Sequence, residues 1–339
     1  MLISYAPGKI ILSGEHAVVY DRPALVTAVA RAANCRGQIA EKEYAITAAD
    51  YNNRQWKGSA EQLFETAGQL EQRYQRFLDG HLTIDKVLRQ PEELALYALA
   101  QILDRARNAL PGGLKLNITS DIPAGCGMGS SAAVALAVLE DINALLELHL
   151  DKPALFKLAL AVEHMQHGKP SGADPYVCLH GGLVRFTSGE PHRVNTELPR
   201  LRLVHTGTPQ SSTGECVAQV ARDFGPRGPW DAIEETTRTI EKGLRAGNPG
   251  VVKDGVRQNQ QLLTRIGVTP ARLQRFVRDV EEAGGAAKIC GAGSIRGDAA
   301  GIVWIVGIDN PDYLCNRYGY TLLEVDPVQQ GAGVFTEIP

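Results

Sequence analysis

Residues 123–133 read PAGCGMGSSAA. Glycines at 125, 127 and 129 alternate with other residues, and two serines then open an apolar run. Alternating glycines admit positive φ and let a ligand approach the backbone closely. The run SSAAVALAVLEDINALLELH (130–149) predicts a helix with serine at its start. The first amides of such a helix lack intrahelical partners and, with the helix dipole, form an anion site. Taken alone, the pattern fits either a phosphate cradle or an ordinary glycine-rich turn before a buried helix. Two rival phosphate loops do not fit. A P-loop needs G-x-x-x-x-G-K-[ST]; this loop has no lysine, and Gly168-Lys169 is followed by Pro170. A Rossmann loop needs G-x-G-x-x-G near the start of a βαβ unit, whereas Ser130 replaces the last glycine and a long segment precedes it.

Outward from this loop, the 339-residue chain predicts two domains. Its 44% hydrophobic content suffices for a core. A net charge of -3 leaves no polyanion footprint, so nucleic acid is not an expected partner. The six cysteines (35, 126, 178, 216, 290, 315) include no CxxC pair and read as reduced thiols. No apolar run is long enough to span a membrane, and the start lacks a cleavable signal pattern, so the expected location is cytoplasmic.

Short apolar or β-branched runs at KIILSG (9–14), AVVY (17–20) and ALVTAVA (24–30) predict strands. Helical spacing covers 58–79 and 92–109, GLKLNITS (113–120) alternates as a strand, and a helix runs from about Pro153 to His167. The proline-punctuated stretch 187–200 predicts a domain junction. Beyond it, LRLVHTG and GIVWIVGI read as strands, and 230–246, 251–265 and 271–284 as helices.

Five stretches then come together: APGKIILSGEHAVVY (6–20), PAGCGMGSSAA, EHMQHGKPSGADPYVCLHGGLVRF (163–186), NQQLLTRIGV (259–268) and KICGAGSIRGDAAG (288–301). In this order they resemble the GHMP kinase superfamily, and within it the first looks most like the mevalonate kinases. The resemblance implies a two-domain α/β (α+β) GHMP kinase fold. Its N-terminal ATP-binding domain (1–190) would be ribosomal-protein-S5-like and its C-terminal domain (191–339) ferredoxin-like, with ATP and acceptor in the cleft between them. It implies an ATP-dependent phosphotransferase with an alcohol group as acceptor, mevalonate first, with phosphomevalonate or a sugar as the alternative.

Phosphoryl transfer needs a phosphate cradle, a metal, a positioned hydroxyl and charge compensation. The resemblance assigns ATP to Pro123, Gly125, Cys126, Gly127, Gly129, Ser130, Ser131 and Ala132, and Mg²⁺ to Ser131 and Glu163. Glu163 lies near a helix end where the dipole does not favour a carboxylate, which suits a charge met by a metal. Asp174, in a rigid PSGADP loop, would act as base on the acceptor hydroxyl or only orient it. Lys9 would partner Asp174 and offset charge on the phosphoryl group. Glu15, His16, Thr213, Gly291 and Ala292 fall where relatives meet the acceptor. His167 is expected to cap its helix or order the loop before Gly168.

Two departures bear on specificity. The third motif continues as Ser294-Ile295-Arg296-Gly297-Asp298 instead of more glycine, and Arg296 could reach a phosphate or an acceptor carboxylate, or pair with Asp298. HTGTPQSSTGE (205–215) resembles a segment ending P-R-S-T but carries no cation, which leaves Arg296 or Arg185 to meet a carboxylate. The partner expected is a small-molecule substrate, with no membrane, and a homodimer is left open. A non-catalytic sensor would have lost Lys9, Ser131, Glu163 or Asp174, and all four are present.

Overall fold

The computed structural model describes residues 2–49 and 54–336, the side chains of 107–109 excepted. The first half runs β1 (Leu2–Ser13), β2 (Ala24–Ala40), β3 (Tyr44–Ala48), β4 (Arg54–Gly58), α1 (Ala60–Leu78), α2 (Glu92–Leu103), β5 (Gly113–Ser120), α3 (Ser130–Leu145), α4 (Lys152–His167), α5 (Ala173–His180), β6 (Leu183–Thr187) and β7 (Glu190–Arg193). The second half runs β8 (Leu201–His205), α6 (Thr213–Asp223), α7 (Trp230–Arg245), α8 (Pro249–Arg265), α9 (Ala271–Glu282), β9 (Ala286–Ile289), β10 (Ile302–Val306), α10 (Asp312–Tyr318), β11 (Thr321–Val325) and β12 (Gly333–Thr336).

One sheet has the order β12-β1-β2-β5-β3-β4, with β6 on β2 and β7 on β6; only β3–β5 is parallel. The other is antiparallel, β11-β8-β10-β9. β7 falls inside the stretch expected to join two domains, so the link between the sheets is 194–200. The chain then comes back: β12 pairs with β1, Leu2 opposite Thr336.

α3 explains why its sequence shows no amphipathic stripe. It packs on β1 and β2 with α2 and α4 beside it, and Ala132, Ala133, Ala135 and Ala137 are buried. A helix covered on most sides reads as apolar all round. Small side chains let it lie close to the sheet, which brings its N-terminus to the middle of β1.

Three expectations are corrected. AVVY (17–20) is a 3-10 turn, not a strand. Val18 and Val19 favour β structure, but His16 and Asp21 both sit at φ 60°, and Val18 N–H turns back to the Gly14 carbonyl at 3.1 Å. The helix expected to reach 109 ends at Leu103 and tightens into 3-10 turns. The loop expected around Asp174 is the first turn of α5. Gly172 at φ 85° reverses the chain, and Pro175 is tolerated in a first helical turn. The six cysteines are free and buried. No helix among the described residues is long and apolar enough to cross a membrane.

Candidate active site

Gly125, Gly127 and Gly129 have φ of 68°, 86° and 73°, and Gly129 is the N-cap of α3. Two of these glycines also make room. A Cβ on Gly129 would stand 2.7 Å from Lys9 Cγ, and one on Gly127 would stand 2.9 Å from the Cys290 carbonyl. Gly8 does the same on β1, where a Cβ would meet the Met128 carbonyl at 2.9 Å. Across that gap Lys9 N–H donates to Met128 O at 2.9 Å. A register shift between Pro7 and Gly8 aims β1 at this contact.

Lys9 is 3% exposed, and its Nζ lies 2.8 Å from Asp174 Oδ2. Asp174 keeps one side open, at 28% exposure. Behind them lies Glu163, 1% exposed in the last turn of α4. Ser131 lies beside its carboxylate, and His167 Nε2 stands 3.5 Å from Oε2 and 3.4 Å from Ser131 Oγ. Burial pushes the Glu163 carboxyl up; His167, Ser131 and Lys9 pull it down, while Asp174 adds to the rise. Its Oε1 is buried without a hydrogen-bond partner. A buried carboxylate oxygen with no donor is costly unless a cation meets it. Glu163 and Ser131 thus fit Mg²⁺, a hard cation that takes one or two protein oxygens beside phosphate and water. Among the described residues no cluster of three or more His, Cys, Asp and Glu side chains could close a metal site without such help.

His167 and His164 divide their work differently from expectation. His164 Nδ1 reaches the Gly168 carbonyl at 2.8 Å and orders the helix end, while His167 turns to Glu163 and Ser131.

A second group forms where β1 ends. His16 Nε2 donates to the Ala292 carbonyl at 3.0 Å; burial pushes the imidazole down to about 4, so the ring is neutral and Nδ1 carries a lone pair with no partner. Glu15 is buried and paired with Lys288. A Cβ on Gly291 would be 3.7 Å from Gly127 Cα, which sets the third motif against the glycine loop. Cys126 adds a tether, its Sγ 2.9 Å from His205 Nε2 on β8.

Of the remaining candidates, Thr213 and Arg296 lie at the third motif, where Ser294 Oγ donates to Ser211 Oγ at 3.3 Å and Cys216 Sγ lies 3.7 Å from the Gly293 carbonyl, and Arg185 lies elsewhere. Thr213 opens α6 behind the Ser212–Glu215 capping box. Arg296 pairs with Glu215, not Asp298, and its Nη2 lies 3.5 Å from the Gln210 carbonyl. Arg185 sits in a separate cleft of about 500 Å³ with Arg238, Lys242 and Arg245, and donates to Glu241 at 3.1 Å. Sequence reasoning passed over Lys288. The available signal was one lysine in the apolar run AAKICGAG.

Residues 93–182 match the GHMP kinases N terminal domain family. The chain is 32% identical over 297 residues to a mevalonate kinase of Archaeoglobus fulgidus, covering 86% of this chain and 89% of that one. It superposes on the Methanococcus jannaschii mevalonate kinase with a TM-score of 0.77 at 21% identity, covering 96% and 98% of the two chains. For an L. major mevalonate kinase in complex with R-mevalonate the TM-score is 0.70 at 21% identity, covering 96% and 95%.

Proposed function

The chain belongs to the mevalonate kinases of the GHMP kinase superfamily and is a phosphotransferase acting on an alcohol group; on that premise we propose that it transfers the γ-phosphoryl group of ATP to mevalonate, giving 5-phosphomevalonate for isoprenoid synthesis in the cytoplasm. The observation that carries this reading is the Lys9–Asp174 pair, buried on one side and open on the other, directly beside the glycine loop.

In this reading the α3 amides and the loop from Pro123 to Ala132 receive the ATP phosphates. Ser131 and Glu163 would hold Mg²⁺, which when bound neutralises charge on the phosphates. Asp174 faces the acceptor hydroxyl and accepts its proton as the oxygen bonds to the γ-phosphorus and the bond to the ADP oxygen breaks. The Lys9 ammonium, held by Asp174, offsets charge on the transferring group. We place the nucleotide domain at 1–190 together with the returning β12, and the second domain around β8–β11, with the reactants between them. Glu15, His16, Thr213, Gly291 and Ala292 border the acceptor. Arg296 rests on the Gln210 carbonyl, in the segment where relatives carry an arginine, so swinging off Glu215 supplies the missing cation.

The test is ADP release with Mg-ATP and a panel of mevalonate, phosphomevalonate, homoserine and galactose. Turnover of mevalonate is expected. The uncharged 210–213 segment favours, as the second reading, a different small hydroxylated acceptor such as phosphomevalonate or a sugar, and turnover of that acceptor alone would establish it. In the same assay Arg296→Ala raises the KM for mevalonate by about tenfold, the loss of one charge-assisted contact; an unchanged KM removes Arg296 from the acceptor site. Glu163→Gln raises the Mg²⁺ concentration for half-maximal rate by about tenfold or more, the cost known for groups that merely support a metal ligand. A superimposable magnesium titration would rule out the ligand role.

A further inference from the structure

Lys288 is the most buried cation near the site, with no exposed surface. Removing an ammonium from water costs several kcal/mol unless good acceptors surround it. Three do so: Glu15 Oε1, the Ile289 carbonyl at 2.5 Å and the Ile11 carbonyl at 3.5 Å. One side chain on β9 therefore joins the second sheet to β1 of the first and to Glu15 just past its end.

The pair is asymmetric. A purely structural ion pair in a dry interior is expected to use both carboxylate oxygens. Glu15 Oε2 is instead buried with no partner. The next residue repeats the feature, because His16 Nδ1 is also buried without a partner while its Nε2 is held by Ala292. Consecutive residues thus each hold one fixed atom and one orphaned acceptor. Both orphans call for a hydrogen-bond donor, and a ligand rich in hydroxyls supplies donors. Building on the mevalonate kinase reading, we propose that Lys288 is a positioning residue: its ammonium locks one oxygen of Glu15 so that the other accepts a hydrogen bond from an acceptor hydroxyl.

The charged and titratable groups facing Glu15 are Lys288 and Cys290 from the second sheet, Lys9 from β1, and His16 beside it. Burial drives the Glu15 carboxyl up, and the Lys288 ammonium is the first force holding it down. Without that cation Glu15 binds a proton more readily. A protonated carboxyl facing a hydroxyl no longer offers the same acceptor, so acceptor binding weakens as pH falls.

Steady-state kinetics of Lys288→Met, Lys288→Arg and the double variant Glu15→Gln/Lys288→Met test this, with whichever panel acceptor the wild type turns over. Lys288→Met is expected to raise the acceptor KM at least about tenfold while the ATP KM stays within about twofold. Its kcat/KM for acceptor should fall more steeply toward low pH than that of the wild type. Lys288→Arg should recover part of the acceptor KM. The double variant keeps no lone buried charge, so it remains readable if Lys288→Met does not fold; its acceptor KM should match that of Lys288→Met, not exceed it. A folded Lys288→Met or double variant with wild-type acceptor KM and pH profile overturns the proposal, and leaves Lys288 as a clamp between sheets. Silence of the wild type toward mevalonate, with turnover of another acceptor, overturns the mevalonate reading and not the role of Lys288.

Discussion

Asp174→Asn is expected to lower turnover by about 10²–10⁴-fold while ATP still binds with near wild-type affinity. The asparagine keeps the shape of the side chain in the first turn of α5. It cannot take a proton, and it no longer pairs ionically with Lys9, 2.8 Å away. Lys9 is then a nearly buried ammonium that has lost its ion-pair partner, which destabilises the fold as well. The thermal midpoint therefore has to be measured beside the rate, at a temperature where the variant is fully folded. A single-turnover experiment at saturating acceptor isolates the transfer step, and nucleotide competition measures ATP binding. Turnover within about tenfold of wild type would remove Asp174 from the chemistry. A loss of about 100-fold indicates a group that mainly orients the hydroxyl, and a loss near 10⁴-fold indicates one that also accepts the proton.

Asp141→Asn is expected to stabilise the protein at pH 8 and to destabilise it by about 1–3 kcal/mol at pH 4. Asp141 is 3% exposed on α3 beside Gly37, and its Oδ2 has no partner. Burial raises its carboxyl from 3.8 to about 7. The sign follows from linkage. A folded-state value above the unfolded one contributes stability that is full below about 4 and is lost as pH rises through about 7. At about 1.4 kcal/mol per unit the loss is about 4 kcal/mol. The asparagine avoids it but leaves its NH₂ where Oδ2 lacked a partner, which costs about 1–3 kcal/mol. A net gain of about 1–3 kcal/mol at pH 8 remains, readable as a shift in denaturant midpoint at unchanged slope. Equal differences at pH 5 and pH 8 would show that Asp141 does not titrate in the fold.

The glycine loop was legible because its requirement is local. Positive φ at alternate positions and unpaired amides at a helix start are properties of consecutive residues, and glycine and serine announce them. The strand at 17–20 was misread for a related reason. Two valines favour a strand, but the turn is imposed by positive φ at His16 and Asp21, and these residue types, though enriched there, adopt positive φ too rarely to announce a turn by themselves. The two histidines of α4 show the next limit. At about 100° per residue, His167 shares a face with Glu163 four positions earlier, while His164 points a quarter-turn away toward Gly168. Spacing alone did not say which face met the site.

By itself the sequence determined the superfamily, the order of the elements around the glycine loop and the identity of Lys9, Ser131, Glu163 and Asp174 as candidates, because each depends on residue type within a short motif. Only the tertiary structure decided their partners. Lys9 meets Asp174 from 165 positions away, and Lys288 meets Glu15 from 273. It also decided which oxygen of Glu15 and of Glu163 is left without a donor. Charge pairing and desolvation act through space. They take their values from what packs around a group, and the chain order does not record that distance.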